Sequence, residues 1–153
     1  EIVQTPAERL LVLDTPRSQA VEGLLAEAGT VTTRDLSVTA RSRFSTLVVS
    51  SLTDEPIPTS KRLLLTAVGR AENSGFAYNL TRNQRLAAGT GPILIDPVQA
   101  RVVMTTDVPD LVVVPIDPQG NPGKPLETSY QGGRLSFDIG TGVGTIFYRI
   151  TEK

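Results

Sequence analysis

The stretch Gly132–Gly133–Arg134–Leu135–Ser136–Phe137–Asp138–Ile139 (GGRLSFDI) decides the fold class. Leu135, Phe137 and Ile139 alternate with Ser136 and Asp138, the period-two pattern of a strand with one wet face. The glycine pair ahead of it is tolerated at positive φ, which marks a tight hairpin. Leu36–Ser37–Val38–Thr39–Ala40 alternates in the same way, whereas Leu63–Leu64–Leu65 and Val112–Val113–Val114 are continuous apolar runs. Such runs suit strands covered on both faces or wrapped by neighbouring chain. Worked outward, the pattern predicts strands over Arg9–Asp14, Leu36–Arg41, Phe44–Leu52, Arg62–Arg70, Ile93–Asp96, Arg101–Thr106, Leu111–Ile116, Arg134–Ile139 and Thr145–Ile150. Phe44, Phe137 and Phe147 fall inside strands and are expected in the core.

Turn residues punctuate these runs. Asp117 to Gly123 (DPQGNPG) is a long turn cluster, and Asp54 to Pro58 (DEPIP) is expected to be a hairpin loop. With 13 Gly and 11 Pro among many short strands, the chain is expected to be all-β. The expected form is one jelly-roll-like antiparallel β-sandwich of about nine to eleven strands spanning the whole sequence. Ser18 to Ala28 (SQAVEGLLAEA) resists the pattern: its Ala, Glu and Leu favour a short helix closed by Gly29, and a strand along the sandwich edge fits equally. Thr81–Ala88 is polar and arginine-rich, and is expected to be loop.

Composition excludes several function classes. The 153 residues hold no His and no Cys. Ser-His-Asp and Cys-His catalysis, the usual zinc and haem ligands, and disulfides are therefore excluded. Fifteen basic against sixteen acidic residues give a net charge of −1, so there is no electrostatic footprint for nucleic acid or an anionic membrane. No run of about twenty apolar residues suggests a spanning helix. The chain begins at Glu1 and its one methionine is Met104, which predicts a piece excised from a longer polypeptide. A compact chain of this size would expose roughly 7,500 Å².

Three motifs invite a chemical reading. Gly140–Thr141–Gly142–Val143–Gly144–Thr145 resembles a nucleotide loop, yet Thr145 takes the third glycine position and a strand follows where phosphate binding needs a helix. Glu72 stands where a glycosidase acid could act, but a (β/α) barrel needs more chain than this and intervening helices. Asp96, Asp107, Asp110 and Asp117 lie at strand ends, where Asp makes turns. The same acids could offer oxygen to calcium, but no calcium-loop spacing supports it, and no cofactor is expected. Sugar binding would use an exposed ring with polar neighbours. The candidates are Phe76, Tyr78, Asn79 and Arg82, in a loop expected from Ser74 to Arg85, and Tyr130 with Gln131 before the Gly-Gly turn. Asn79–Leu80–Thr81 also fits a glycosylation acceptor.

Two segments carry a resemblance. Asp14 to Ala20 (DTPRSQA) and Ser60 to Gly75 (SKRLLLTAVGRAENSG) resemble an all-β domain that follows the catalytic barrel in bacterial polysaccharide-degrading glycoside hydrolases. Thr145 to Ile150 is similar to that domain's last strand. The resemblance implies a secreted or cell-surface accessory domain without catalytic residues of its own. Its partner would be a polysaccharide, if it is carbohydrate-binding, or the catalytic barrel of its own chain, if it is structural. A cell-surface adhesion sandwich is the third reading. In the motifs themselves, Pro16 holds Thr15 extended, and alternation after Val68 places Arg70 and Glu72 on one face.

Overall fold

The computed structural model describes residues 1–5 and 9–153. Its strands are β1 (Ile2–Thr5), β2 (Leu10–Asp14), β3 (Ser18–Gly23), β4 (Thr30–Thr32), β5 (Leu36–Ala40), β6 (Ser45–Ser51) and β7 (Arg62–Tyr78). They continue as β8 (Arg85–Pro97), β9 (Ala100–Thr105), β10 (Leu111–Ile116), β11 (Thr128–Gln131), β12 (Arg134–Ile139) and β13 (Phe147–Glu152). The larger sheet runs β1-β2-β3-β6-β7-β13-β10, with β8 on β7; the smaller runs β11-β12-β9-β5-β4. All pairings are antiparallel. The chain therefore forms the expected β-sandwich, with more strands than expected because β1, β4 and β11 are too short to announce themselves.

The core is the space between the sheets. Leu47 and Val49 from β6, Leu63, Leu65 and Ala67 from β7, and Tyr148 and Ile150 from β13 enter it from one side. Leu36 and Val38, Val102 and Met104, and Leu135, Phe137 and Ile139 enter from the other. Each Val, Leu, Ile, Phe or Met among them contributes about 1.5–3 kcal/mol by leaving water. Phe44 is a correction: it is 43% exposed. Ser45, Leu47, Val49 and Ser51 point inward on β6, so the residue before Ser45 must point outward. Phe147 is half-buried.

Ser18 to Ala28 divides between both of its readings. Residues up to Gly23 form β3 between β2 and β6, and Leu25–Ala28 make a single helical turn with Leu25 fully buried. The loop expected at Asp54–Pro58 becomes a 3₁₀ turn, Ile57–Thr59, and Ile57 plugs the end of the core. Edge strand β10 is wrapped by later chain: Leu126 N donates to Val113 O at 2.8 Å and Gly123 N to Pro115 O at 2.8 Å.

A buried polar lock joins the sheets. Gln19 on β3 is fully buried, and its Nε2 donates to Asp35 Oδ2 at 2.5 Å. Its Oε1 accepts from Thr33 Oγ1 at 2.5 Å and from Asp35 N at 3.0 Å. Thr33 and Asp35 belong to the turn between β4 and β5 of the opposite sheet. Asp14 Oδ2 accepts from Arg34 N at 2.9 Å in the same turn. The DTPRSQA motif thus has a folding role: it fixes how one sheet end meets the other.

Replacing Gln19 by Ala leaves the buried Asp35 carboxylate without its amide donor and opens a small void. Urea unfolding is expected to show a loss of about 3 kcal/mol; an unchanged midpoint would refute the lock. Tyr148 supplies a pH test. Burial pushes its phenol above the ordinary 10.0, against the lowering effect of the hydrogen bond from Gly140 N. The unfolded chain ionises first as pH rises, so this contribution is intact below about pH 10 and lost above it. Thermal melts across that range should decline less steeply for Tyr148→Phe than for the parent chain.

Candidate functional site

Strand β7 changes surroundings halfway along its length. Up to Thr66 it pairs with β6 on one side and β13 on the other; Val68 pairs with β6 and β8, and beyond it the partner is β8 alone. The hairpin of β7 and β8 leaves the sandwich here as a two-stranded arm. This corrects the loop expected over Ser74–Arg85 and Thr81–Ala88: strand continues to Tyr78 and resumes at Arg85. The total surface of the chain is 8826 Å², above the roughly 7,500 Å² of a compact chain this size, in keeping with an arm that stands clear of the sandwich.

The arm is bent rather than straight. Its register shifts between Asn73 and Ser74, where Asn73 faces Ile93 but Ser74 faces Thr90. Gly91 and Pro92 are the extra residues on β8, a bulge at which a strand proline is tolerated. Gly75 and Gly89 face one another just beyond, at φ 74° and 66°. A Cβ on Gly89 would lie 2.4 Å from Ser74 O, so the two backbones approach as only glycine permits. Asn73 Nδ2 donates to Ala88 O at 3.1 Å and Ser74 Oγ to Pro92 O at 2.9 Å, bracing the bend.

The bend makes a cleft. Glu72 and Tyr78 would lie about 20 Å apart on a straight strand. Here Arg82, from the turn beyond Tyr78, reaches Glu72 Oε1 at 3.6 Å. Arg70 Nε approaches the same oxygen at 3.4 Å, as the alternation of the sequence predicts. The Phe76 and Tyr78 rings meet at 4.9 Å between centroids, tilted by 57°. The Arg82 guanidinium carbon lies 5.1 Å from the Tyr78 ring centre, within cation–π range. The open cleft so formed holds about 580 Å³ and is lined by Arg70, Glu72, Asn73, Phe76, Tyr78 and Arg82, together with Ala71 and Ile93.

The sequence candidates are only partly united. Phe76, Tyr78 and Arg82 share the cleft. Asn79 builds the turn instead: its Oδ1 accepts from Asn83 N at 3.1 Å and Gln84 N at 3.3 Å, and its Nδ2 donates to Asn83 Oδ1 at 2.6 Å. Tyr130 and Gln131 stand on β11, at the edge of the other sheet, and do not line the cleft. The Tyr130 hydroxyl donates to Thr106 O at 3.1 Å, fastening β11 down. Sequence reasoning missed Asn73 as a cleft residue and gave Arg70 and Glu72 no ligand role, although their i, i+2 spacing was the available signal.

The other motifs resolve into turns. Gly140 has φ 78° and packs against Val98 O ahead of β13, with no helix behind the loop. Asp117 accepts from Gln119 N and Asn121 N, and the Asn121 side chain is the main cause of its lowered pKa. Among the described residues, no group of three or more Asp and Glu could hold a metal ion. Among the described residues, no helix is long and apolar enough to cross a membrane.

Gly89→Val would force its Cβ into Ser74 O and disrupt the bend. Because the arm lies outside the core, the main unfolding transition should stay within about 0.5 kcal/mol of the parent. Trypsin should cut at Arg82 and Arg85 several-fold faster. Unchanged cleavage would show that the facing glycines do not hold the tip.

Comparison with family models, with curated proteins and with solved structures finds no match.

Proposed function

We propose that the chain is a non-catalytic module of a secreted or cell-surface glycoside hydrolase, and that its arm cleft contacts the polysaccharide on which the attached catalytic domain acts. One observation carries this reading: a bend in an exposed hairpin gathers two aromatic rings, two guanidiniums, a carboxylate and an amide into one open cleft. An aromatic face covers the apolar face of a pyranose, and Arg70, Glu72 and Asn73 offer partners to its hydroxyls. The resemblance in DTPRSQA and SKRLLLTAVGRAENSG supplies the class of parent enzyme. Catalysis is not assigned to the cleft, because Glu72 and Asp96 both face Arg70 as counter-ions.

One ring and a few hydrogen bonds at an open surface support an affinity of roughly millimolar to high micromolar. That is useful when the module is tethered, since effective concentration raises occupancy.

A second reading is favoured by the arm's exposed apolar side chains. Leu86 is 63% exposed and Ile95 40%, more than solvation of a free ribbon calls for. In this reading the arm packs on the catalytic barrel and stabilises it. Affinity electrophoresis against β-glucans, xylan, mannan and agar separates the two. Retardation by at least one polymer, lost in Tyr78→Ala, is the expected result. Absence of retardation, with Leu86→Asp and Ile95→Asp lowering the melting temperature of the full-length parent, would transfer the function to packing.

A further inference from the structure

Resting on the carbohydrate reading of the arm cleft, we propose that the cleft selects acidic polysaccharides, those bearing uronate carboxylates or sulfate esters, with Arg70 and Arg82 as the anion-binding pair.

The argument begins with unengaged donors. Arg70 and Arg82 approach the same oxygen of Glu72, at 3.4 and 3.6 Å. Both distances exceed the roughly 2.7–2.9 Å of a charge-assisted hydrogen bond. Arg70 also faces Asp96 Oδ2 at 3.8 Å, but that carboxylate's side chain is 71% exposed and largely solvated. Each guanidinium carries five N–H donors in a fixed fork, and each is half exposed. Of the residues lining the cleft itself, Arg70 and Arg82 share the single carboxylate of Glu72, so both keep donors facing solvent although Asp96 balances the wider cluster. A carboxylate or sulfate presents the oxygen pair that such a fork binds.

The second step concerns Tyr78. Arg82 lies over its ring, where a sugar would stack. A neutral glycan must displace Arg82 and offers no charge in exchange. An acidic sugar draws the guanidinium onto its own anion and uncovers the ring in the same movement. The ion that recognises the ligand is therefore also the cover of the stacking surface, which couples selection to binding.

Affinity electrophoresis at low salt against polygalacturonate, carrageenan, xylan and a neutral β-glucan tests this, with the two acidic polymers separating carboxylate from sulfate. At least one acidic polymer should bind about tenfold more tightly than the neutral ones. The advantage should vanish in about 1 M sodium chloride, where the Debye length is about 3 Å. Arg70→Gln and Arg82→Gln should each bring the acidic-to-neutral ratio near one, and Arg134→Gln, on the sandwich, should leave it intact. Neutral polymers retarded as strongly as acidic ones would overturn the selectivity and leave the cleft as a glycan site. So would an equal loss of preference in Arg134→Gln. No retardation by any polymer would remove both readings together. Unfolding midpoints verify that the arm variants are folded.

Discussion

One strand, β7, belongs to two structures, and everything distinctive about the molecule depends on where it changes from one to the other. Its first half is the interior of the larger sheet, with Leu63, Leu65 and Ala67 fully buried. The changeover comes at Gly69, where a Cβ would lie 2.5 Å from Asp96 O. Val68 pairs with Pro97, and the next regular pair is Ala71 with Ile95, so the ribbon turns away between them. An isolated two-stranded hairpin is marginal in water. The arm stands because its base continues a strand already anchored by core side chains and two neighbours. Stability is supplied in the sandwich, and chemistry is displayed outside it.

An arm of this kind carries a hazard. Both of its edges present unpaired backbone groups, and its faces carry Leu86, Ile93 and Leu94 in the open. Pro92, which has no N–H to offer, and three register shifts make the edges poor templates for another strand. The faces have no comparable protection. The molecule thus guards against edge-to-edge association while leaving side chains exposed.

The legible part of the fold was the part that is buried on at least one face. β5 and β12 could be read because one buried face imposes alternation on the sequence, and the first half of β7 was read from its continuous apolar run. β8 could be read only at its end, Ile93–Asp96: it is exposed along nearly its whole length, so nothing forces a pattern on the rest, and its Gly, Thr and Pro imitate a loop. The same reason hid the cleft. Its geometry depends on a bulge at Gly91–Pro92 and on Gly75 facing Gly89, a pairing across the hairpin that no local window contains. Phe44 misled for the opposite cause, since an aromatic at a strand's start suggests core although parity turns it out. Arg70 and Glu72 were legible as a pair because i, i+2 neighbours on a strand share a face whatever the strand's partner.

The two resembling segments also divide between the core and the cleft. In DTPRSQA, Asp14 and Gln19 hold the turn of the opposite sheet, and Thr15 Oγ1 accepts from Ser18 N at 3.0 Å to shape the corner. In SKRLLLTAVG, buried Ser60 donates to Arg62 O at 2.8 Å, and Leu63 and Leu65 fill the core. Only RAENSG reaches the cleft, and of it only Arg70, Ala71, Glu72 and Asn73 line the wall. A sandwich could keep every folding residue of these motifs and lose the cleft through a change at Phe76, Tyr78 or Arg82, all of which lie beyond them. The resemblance therefore speaks chiefly to architecture. The arm's tip is free to vary, because a substitution there disturbs no core contact while it alters directly the shape and charge of the cleft.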